Sequence, residues 1–212
     1  MPLANKIRVC GDDLIGIDVS NPAEADSLAE RLRVTGDWLE VVGGIDTVVL
    51  RFDAATLDPD FVVGRVHETT GMDMPAAATS AEVVTIPVCY GREFGPDFDA
   101  VCAMLKLSAE ELVALHAGHV YTVDMLGFTP GFAYIGGLDE RLAVPRLRQP
   151  RAHVAAGSVG IADGRTGLYA LPGPGGWVLI GRTSYPLFDA SAEPPFALKP
   201  GMRVRFIAEQ QP

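Results

Sequence analysis

The N-terminal part of the chain begins with a strand-like pattern that changes to a helical repeat. Residues 13–19 form a short apolar run, which is typical of a strand. The four residues from Asn21 onward supply an N-cap, a proline in the first turn and a glutamate three residues after the cap. Leu28 and Leu32 then repeat on one face. This pattern predicts a helix that extends to about Val34.

A hairpin, a second helix and a further strand are predicted after this helix. Two β-rich runs, residues 38–42 and 45–52, are separated by a Gly-Gly pair, which is a tight-turn signal. An Asp-Pro pair opens a helix over residues 58–71, and residues 82–88 form another β-rich run. The resulting order, βαββαβ, predicts a ferredoxin-like domain over residues 1–88.

The pattern changes over residues 89–212, which we interpret as a second domain. A glycine-rich junction is followed by a capping box at Ser108 to Glu111, which opens a helix that ends near His116. Two helices are expected to lead the domain, and many short β-rich runs follow, with proline and glycine in every gap. These runs predict an α+β protein whose second domain is a closed or sandwich-like β structure. The β-rich runs are residues 120–125, 154–161, 167–171, 177–180 and 203–207.

Composition and charge restrict the class of ligand. The chain has 212 residues, of which 48% are hydrophobic and 21% charged, as in ordinary globular proteins. A net charge of −10 disfavours nucleic acid and anionic membranes as partners, because both require a basic surface. Residues 127–182 differ from this acidic average, because they carry six basic and three acidic side chains. They also contain 12 of the 23 glycines. We therefore expect a small anionic ligand to bind there.

Several familiar sites are absent from the sequence. The three cysteines are far apart and include no CxxC pair, so no disulfide framework or zinc site is predicted. No lysine follows a glycine, and no GxGxxG, HExxH or GxSxG sequence occurs, which disfavours a self-sufficient nucleotide hydrolase, zinc protease or α/β-hydrolase. No uninterrupted apolar run approaches the length of a membrane span, and we expect a cytoplasmic protein.

The densest group of candidate site residues lies in the glycine-rich segment. Residues 126–138 combine five turn-forming glycines and prolines with three aromatic side chains, and the pairs Pro145-Arg146 and Pro150-Arg151 follow. Glycine permits a close approach to a ligand, proline stiffens a loop, and arginine offers a planar fork to carboxylate or phosphate. An exposed arginine pair is the alternative interpretation.

These motifs resemble the family of 5-oxoprolinase B subunits. It is also described as allophanate hydrolase subunit 1 or as the Kip-type histidine-kinase inhibitor family, and it is built on a carboxyltransferase-type domain. The resemblance extends from Tyr90 to Asp189 and implies that the C-terminal domain is a cyclophilin-like β-barrel. Three positions depart from the family pattern: Arg92 replaces the usual glycine, Ala155 the usual proline and Arg165 the usual glutamine.

The resemblance implies a subunit that acts together with partners. It implies ATP-dependent opening of 5-oxo-L-proline to L-glutamate, together with a homologous C-type subunit and, in the bacterial enzyme, a third subunit. The chain alone is then expected to be inactive. Allophanate hydrolysis and inhibition of a sensor histidine kinase without catalysis are the alternatives.

The residues and the resemblance together predict the site. Arg146, Arg151 and His116 are the candidate catalytic residues, although a cation at the end of a helix, as at His116, is also favoured by the helix dipole. Ser158 has no base at a recognisable spacing, so a hydrogen-bonding role is favoured over nucleophilic attack. Trp177 would form either the wall of a pocket or a plug of the barrel. The candidate substrate-binding residues are Gly127, Phe128, Pro130, Gly131, Tyr134, Ser158 and Trp177.

Overall fold

The computed structural model describes residues 7–36, 38–71 and 82–209. The chain divides into two compact units, Met1–Ala78 and Thr79–Pro212. Within the described residues, no helix is long and apolar enough to cross a membrane.

The first unit is a four-stranded antiparallel sheet with two helices. Its strand order is β1-β2-β4-β3. The helix predicted from the Asn21 cap is present, and the Asn21 side chain accepts a hydrogen bond from the Glu24 amide at 2.9 Å. Ile15 and Leu50 are among the fully buried residues of its core. The elements are β1 (Ile7–Cys10), β2 (Leu14–Asp18), α1 (Pro22–Thr35), β3 (Glu40–Gly43), β4 (Thr47–Arg51) and α2 (Pro59–Gly71).

One strand predicted for this unit belongs to the second unit. The strand expected at residues 82–88 is β5 (Val83–Tyr90), and it pairs with strands of the second unit. In the first sheet, the edge position beside β2 is held instead by β1, which the sequence pattern did not predict. The ferredoxin-like description of this domain and its boundary at residue 88 stay predictions.

The second unit is built around a closed seven-stranded β-barrel, one of the two arrangements that the short β-rich runs predicted. The strand order around the barrel is β10-β7-β6-β13-β5-β12-β9, and a separate two-stranded ribbon is formed by β8 and β11. Among the barrel's described neighbouring strands, β13 and β5 are parallel, and the other pairs are antiparallel. The elements that follow β5 are α3 (Phe98–Leu105), α4 (Ala109–Ala117), β6 (Val120–Leu126), β7 (Ala133–Gly136), β8 (Arg151–Val154), β9 (Ser158–Ala162), β10 (Arg165–Leu168), β11 (Gly173–Gly175), β12 (Val178–Arg182) and β13 (Arg203–Ala208).

Alternation along the barrel strands separates an inner core from an outer face. Ile135, Leu168 and Ile180 belong to the inner core, and their neighbours along each strand point outward. The capping box predicted at Ser108 is present, with the Ser108 hydroxyl accepting from the Glu111 amide at 3.1 Å. This box starts α4, whose far end carries His116 into the unit's core.

Candidate functional site

An aromatic cluster lies on the outer face of the barrel. Phe132, Tyr169 and Trp177 are almost fully buried there, and Tyr134 packs against them. The Phe132 ring centroid is 4.7 Å from that of Tyr169 and 5.4 Å from that of Trp177, and the Tyr134 and Trp177 centroids are 5.7 Å apart. All three pairs meet edge to face, the arrangement that the ring quadrupole favours.

Glycines in the barrel strands let these rings lie directly on the backbone. A Cβ atom on Gly167 would lie 2.8 Å from Cζ of Phe132 and 3.0 Å from Cζ3 of Trp177. A Cβ atom on Gly160 would lie 3.0 Å from Cβ of Trp177. A side chain at Gly167 of β10 would therefore displace the rings, and Gly160 of β9 lies in tight contact with Trp177.

Tyr169 is at the centre of this cluster and was not among the predicted site residues. Its phenol pKa is raised, chiefly because the ring is buried, and Tyr134 adds to this effect. The Trp177 backbone and the guanidinium groups of Arg151 and Arg146 oppose it. The hydroxyl makes no hydrogen bond of normal geometry with the described residues. Alternation from the buried Thr166 and Leu168 places Tyr169 outside the barrel, which is the signal that could have identified it.

Arg146 is held at the surface beside this cluster. Its Nε donates to Oδ2 of Asp163 at 2.7 Å, and its Cζ lies 5.9 Å from the centroid of the Trp177 ring. The Arg146 and Asp163 side chains are 55% and 54% exposed, so this ion pair contributes little to stability.

Arg151 is held more firmly by Asp97. Nη2 of Arg151 donates to Oδ1 of Asp97 at 2.6 Å, and Oδ2 of the same carboxylate accepts from the Leu179 amide at 2.7 Å. Nη1 of Arg151 donates to the Trp177 carbonyl at 3.4 Å. The pair is mostly buried, with side-chain exposures of 28% for Arg151 and 16% for Asp97. Asp97 and Asp163 were not predicted, because neither lies near its arginine in the sequence.

His116 lies inside the barrel unit, away from this outer face. Its Nε2 is 2.9 Å from the Thr166 hydroxyl, which itself donates to the Gly160 carbonyl at 3.2 Å. Nε2 therefore carries the proton, and Nδ1 accepts from the Tyr90 hydroxyl at 2.7 Å. Burial, aided by His119, lowers the pKa of His116 to about 3. The acid–base role of His116 stays a prediction, and these contacts favour a structural role.

Four of the remaining predicted residues lie in the loop between β6 and β7, and the fifth, Ser158, is the first residue of β9. Phe128 is 64% exposed at φ +68°, and its ring centroid lies 5.9 Å from that of Phe132. Gly131 has φ +72°, and a Cβ atom there would overlap the Phe196 ring. Ser158 is buried, and its carbonyl accepts from the Tyr169 amide at 3.0 Å. Gly127 and Pro130 belong to the same loop.

The structure thus brings together four of the predicted residues, Arg146, Arg151, Tyr134 and Trp177, around Tyr169. No group of three or more His, Cys, Asp or Glu side chains that could hold a metal ion occurs among residues 7–36, 38–71 and 82–209. The two guanidinium groups beside this buried cluster, each oriented by a carboxylate, can bind a small anion and stabilise developing negative charge.

Three curated proteins, each named as the B subunit of 5-oxoprolinase, are similar to this chain. The protein from Escherichia coli O157:H7 is 41% identical over 187 residues, which are 87% of this chain and 84% of that protein. The protein from Haemophilus influenzae is 38% identical over 183 residues, which are 86% of this chain and 85% of that protein. The protein from Bacillus subtilis (strain 168) is 49% identical over 125 residues, which are 59% of this chain and 52% of that protein. The match therefore spans about half the length of the Bacillus relative.

Solved structures have the same fold. TTHA0988 superposes with a TM-score of 0.81 at 34% identity, over 97% of this chain and 40% of that chain. The conserved uncharacterized protein PH0987 from Pyrococcus horikoshii gives a TM-score of 0.60 at 34% identity, over 97% of this chain and 98% of that one. Urea carboxylase from Kluyveromyces lactis, at 17% identity over 96% of this chain and 22% of its own, gives 0.77, a likeness in fold alone.

A family model described as the carboxyltransferase domain, subdomain C and D, matches residues 5–198, which is most of the chain. With relatives at 38% to 49% identity that share one name, this match makes the chain a member of the family of 5-oxoprolinase B subunits.

Proposed function

We propose that this chain is one subunit of an ATP-dependent 5-oxoprolinase, which opens 5-oxo-L-proline to L-glutamate. The observation that carries the proposal is the shared name of the three relatives, two of which align with more than four fifths of this chain. The partner proposed for it is a homologous C-type subunit, with a third subunit in the full enzyme. A cytoplasmic location is part of the same proposal.

The two arginines beside the aromatic cluster suit the chemistry of this reaction. The lactam of 5-oxoproline is a resonance-stabilised amide, so its opening needs stabilisation of the oxyanion that develops on the carbonyl oxygen. Arg151 is already oriented by Asp97, and little reorganisation is needed for it to bind an anion. We propose that Arg151 and Arg146 supply this stabilisation, and that the loop at Gly127 to Gly131 lies at the edge of the same site.

We propose that this chain shares its cofactor, ATP, with the partner subunits. Its sequence has no lysine directly after a glycine, so a Walker-type phosphate loop is absent. The steps that we derive for this chain are therefore limited to binding and orienting the anionic substrate and stabilising the developing charge.

The proposal is tested by measuring glutamate release. The chain, a homologous C-type subunit and the third subunit are purified separately and mixed in every combination, with 5-oxo-L-proline and ATP. We expect release only from mixtures that contain this chain and its partners. Release by the chain alone, or ammonia production from allophanate by mixtures that release no glutamate from 5-oxoproline, would contradict the proposal.

A further inference from the structure

Arg182, the last residue of β12, combines a buried guanidinium nitrogen with the lack of an acidic partner. The residue is half-buried. In the part of the chain that the structure describes, its guanidinium forms no ion pair and no hydrogen bond, and its Nε is buried without an acceptor. Arg151 and Arg165, which are also half-buried, are each bonded to a carboxylate. Arg182 therefore carries a partly desolvated charge that no described group compensates.

The register of the barrel places the Arg182 side chain on the outer face. Arg182 lies opposite Ser158 of β9 and opposite Cys89 of β5. Directly opposed residues of antiparallel strands point to the same side of the sheet. Val159, the residue after Ser158, and Val88, the residue before Cys89, belong to the inner core. Because successive side chains alternate along a strand, Ser158, Cys89 and Arg182 point outward.

A turn and an aromatic ring hold the Arg182 side chain in position. Gly157 leaves room for its stem, since a Cβ atom there would lie 3.3 Å from Cγ of Arg182 and would overlap the Thr183 carbonyl oxygen. Further out, Cζ of the guanidinium lies 5.6 Å from the centroid of the Phe94 ring, within reach of a cation–π contact. Phe94 belongs to a turn in which its amide donates to the Gly91 carbonyl at 3.1 Å. The guanidinium is therefore positioned before a ligand binds.

The outer end of the guanidinium is open. Nε is the one nitrogen of the Arg182 side chain that is fully buried without a partner, so Nη1 and Nη2 reach solvent. These two nitrogens form a planar fork that matches the two oxygens of a carboxylate. Since neither nitrogen donates to a described residue, the fork is available to an anion from outside.

The surroundings of this fork favour an anion with a single charge. Burial, and after it the charge of Glu209, raises the pKa of the thiol of Cys89, which is a strand neighbour of Arg182. Glu209 forms no ion pair with Arg182 within the described ranges, yet its charge would repel a second negative charge on a ligand. A carboxylate has one charge and two oxygens in a plane. It therefore suits this fork better than a doubly charged phosphate ester.

We propose that Arg182 binds the carboxylate group of a small monocarboxylic acid on the outer face of the barrel. The choice of ligand rests on the proposed function, because 5-oxo-L-proline carries a single carboxylate. Arg182 is then the residue by which this chain distinguishes 5-oxo-L-proline from a neutral lactam.

The test is binding of two matched ligands to the full chain, without partner subunits. 5-Oxo-L-proline is compared with 2-pyrrolidinone, which is the same lactam ring without the carboxylate. Binding is measured by calorimetry and by the NMR signal of the Nε–H group of Arg182, which is identified by its loss in Arg182→Lys. We expect 5-oxo-L-proline to bind about 10- to 100-fold more tightly than 2-pyrrolidinone, the usual effect of a charge-assisted hydrogen bond. Only 5-oxo-L-proline should shift the Arg182 signal.

Two substitutions separate recognition of the carboxylate from a general effect of charge. Arg182→Lys keeps the charge and loses the fork, so we expect it to weaken binding of 5-oxo-L-proline by about 10- to 100-fold and to leave binding of 2-pyrrolidinone unchanged. Melting temperatures show whether the variant is folded.

Arg203→Lys is the matched control and should leave both affinities unchanged. Arg203 is also half-buried on a barrel strand and has no ion pair among the described residues, but none of its guanidinium nitrogens is a buried atom without a partner. It lies opposite Val83, six residues before Cys89 in β5. Along that strand, it is therefore about 20 Å from Arg182.

Three results would overturn the inference. The first is equal affinity for the two ligands, and the second is unchanged affinity for 5-oxo-L-proline in Arg182→Lys. The third is a shift of the Arg182 signal with the partner subunit and with neither ligand, because the carboxylate would then belong to a side chain of the partner. Failure of the proposed function gives a different result. If the reconstituted complex releases no glutamate while binding of 5-oxo-L-proline to this chain still depends on Arg182, the carboxylate site stands and the proposed reaction is wrong.

Discussion

At the scale of single residues, the outer face of the barrel depends on positions that have no side chain. Tyr169 shows this most clearly, because its hydroxyl lies so close to Gly175 that a Cβ atom there would overlap it. The neighbouring Gly176 has open space by comparison, since a Cβ atom would come no nearer than 3.7 Å to Pro150. A side chain at Gly175 would therefore overlap Tyr169, whereas Gly176 has room for one.

We expect Gly175→Ala to reduce the free energy of unfolding by about 1–3 kcal/mol, the usual effect of overpacking a buried site. Gly176→Ala is the control and should change it by less than about 0.5 kcal/mol. Urea unfolding followed by circular dichroism measures both. Equal effects of the two substitutions would show that the contact with Tyr169 is relieved without cost.

His116 should make the stability of the protein depend on pH. Its pKa is about 3 in the folded protein, compared with a usual value of 6.5, so below pH 6.5 the unfolded chain binds a proton that the folded protein does not. Stability is therefore complete above pH 6.5 and falls as the pH is lowered towards 3, by about 2 kcal/mol between pH 7.5 and 5. Urea unfolding at the two pH values should show a smaller loss in His116→Gln. The same loss in both proteins would contradict this prediction.

Arg151 should not tolerate lysine if it contacts the substrate. Arg151→Lys keeps the charge and loses the two-point fork, and we expect glutamate release by the reconstituted complex to fall 10- to 100-fold, the equivalent of about 1.5–3 kcal/mol. Arg148→Lys is the matched control, because Arg148 is a basic residue of the same segment. Melting temperatures of both variants separate lost chemistry from misfolding. Activity near that of the wild type in Arg151→Lys would make Arg151 a purely structural residue.

At the scale of elements, local signals predicted where helices begin, but they did not predict which strands pair. The caps at Asn21 and Ser108 identified two helices correctly, because a cap acts within one turn. The strand predicted at residues 154–161 is two strands in the structure, because Gly157 turns the chain at φ +79°. The run at 82–88 is a strand as predicted, yet an apolar alternation does not say to which sheet a strand belongs.

In the candidate site too, the local sequence did not predict which side chains lie close together. Residue type and the family resemblance together singled out Arg146, Arg151, Tyr134 and Trp177, which the structure places around Tyr169. Their role in a site stays a prediction. Their partners were not predictable, because Asp97 is 54 residues from Arg151 and only the fold brings them together.

The Asp97 carboxylate joins three elements, since it lies at the start of α3, binds Arg151 of β8 and accepts from the amide of Leu179 in β12. We expect Asp97→Asn to reduce the free energy of unfolding by about 1–3 kcal/mol, because it weakens a mostly buried charged pair. Asp163→Asn breaks the exposed pair with Arg146 and should cost about 0–1 kcal/mol. Chemical unfolding of both variants provides the comparison, and an equal loss would mean that burial does not strengthen the Asp97 pair.

At the scale of the whole molecule, each of the two units has a hydrophobic core of its own. Leu50 is fully buried in the first core, and Ile180 is fully buried in the core of the barrel. Each unit also has one tryptophan, since Trp38 packs against the first core and Trp177 belongs to the outer cluster of the barrel. The two units can therefore be observed separately.

Leu50→Ala should destabilise the first unit by about 2–5 kcal/mol, the usual cost of truncating a buried leucine. We expect the unfolding transition reported by Trp38 in the Trp177→Phe background to shift to lower urea. The free energy of unfolding reported by Trp177 in the Trp38→Phe background should change by less than about 0.5 kcal/mol when Leu50→Ala is added. This is the usual range for a substitution that leaves a site untouched. Equal shifts of both transitions would show that the units unfold as one.

The position of β13 in the barrel has a consequence for the order of events during synthesis. β13 lies between β5 and β6 in the barrel and pairs with both. In the sequence, both of these strands precede β13 by most of the length of the barrel unit. A ribosome adds about 5–20 residues per second, so β5 and β6 leave the exit tunnel on the order of ten seconds before the strand that joins them. During that interval both strands present unpaired edges, which are the surfaces through which nascent chains associate. Slower translation after β6 would therefore lengthen the exposure of these edges without changing the folded protein.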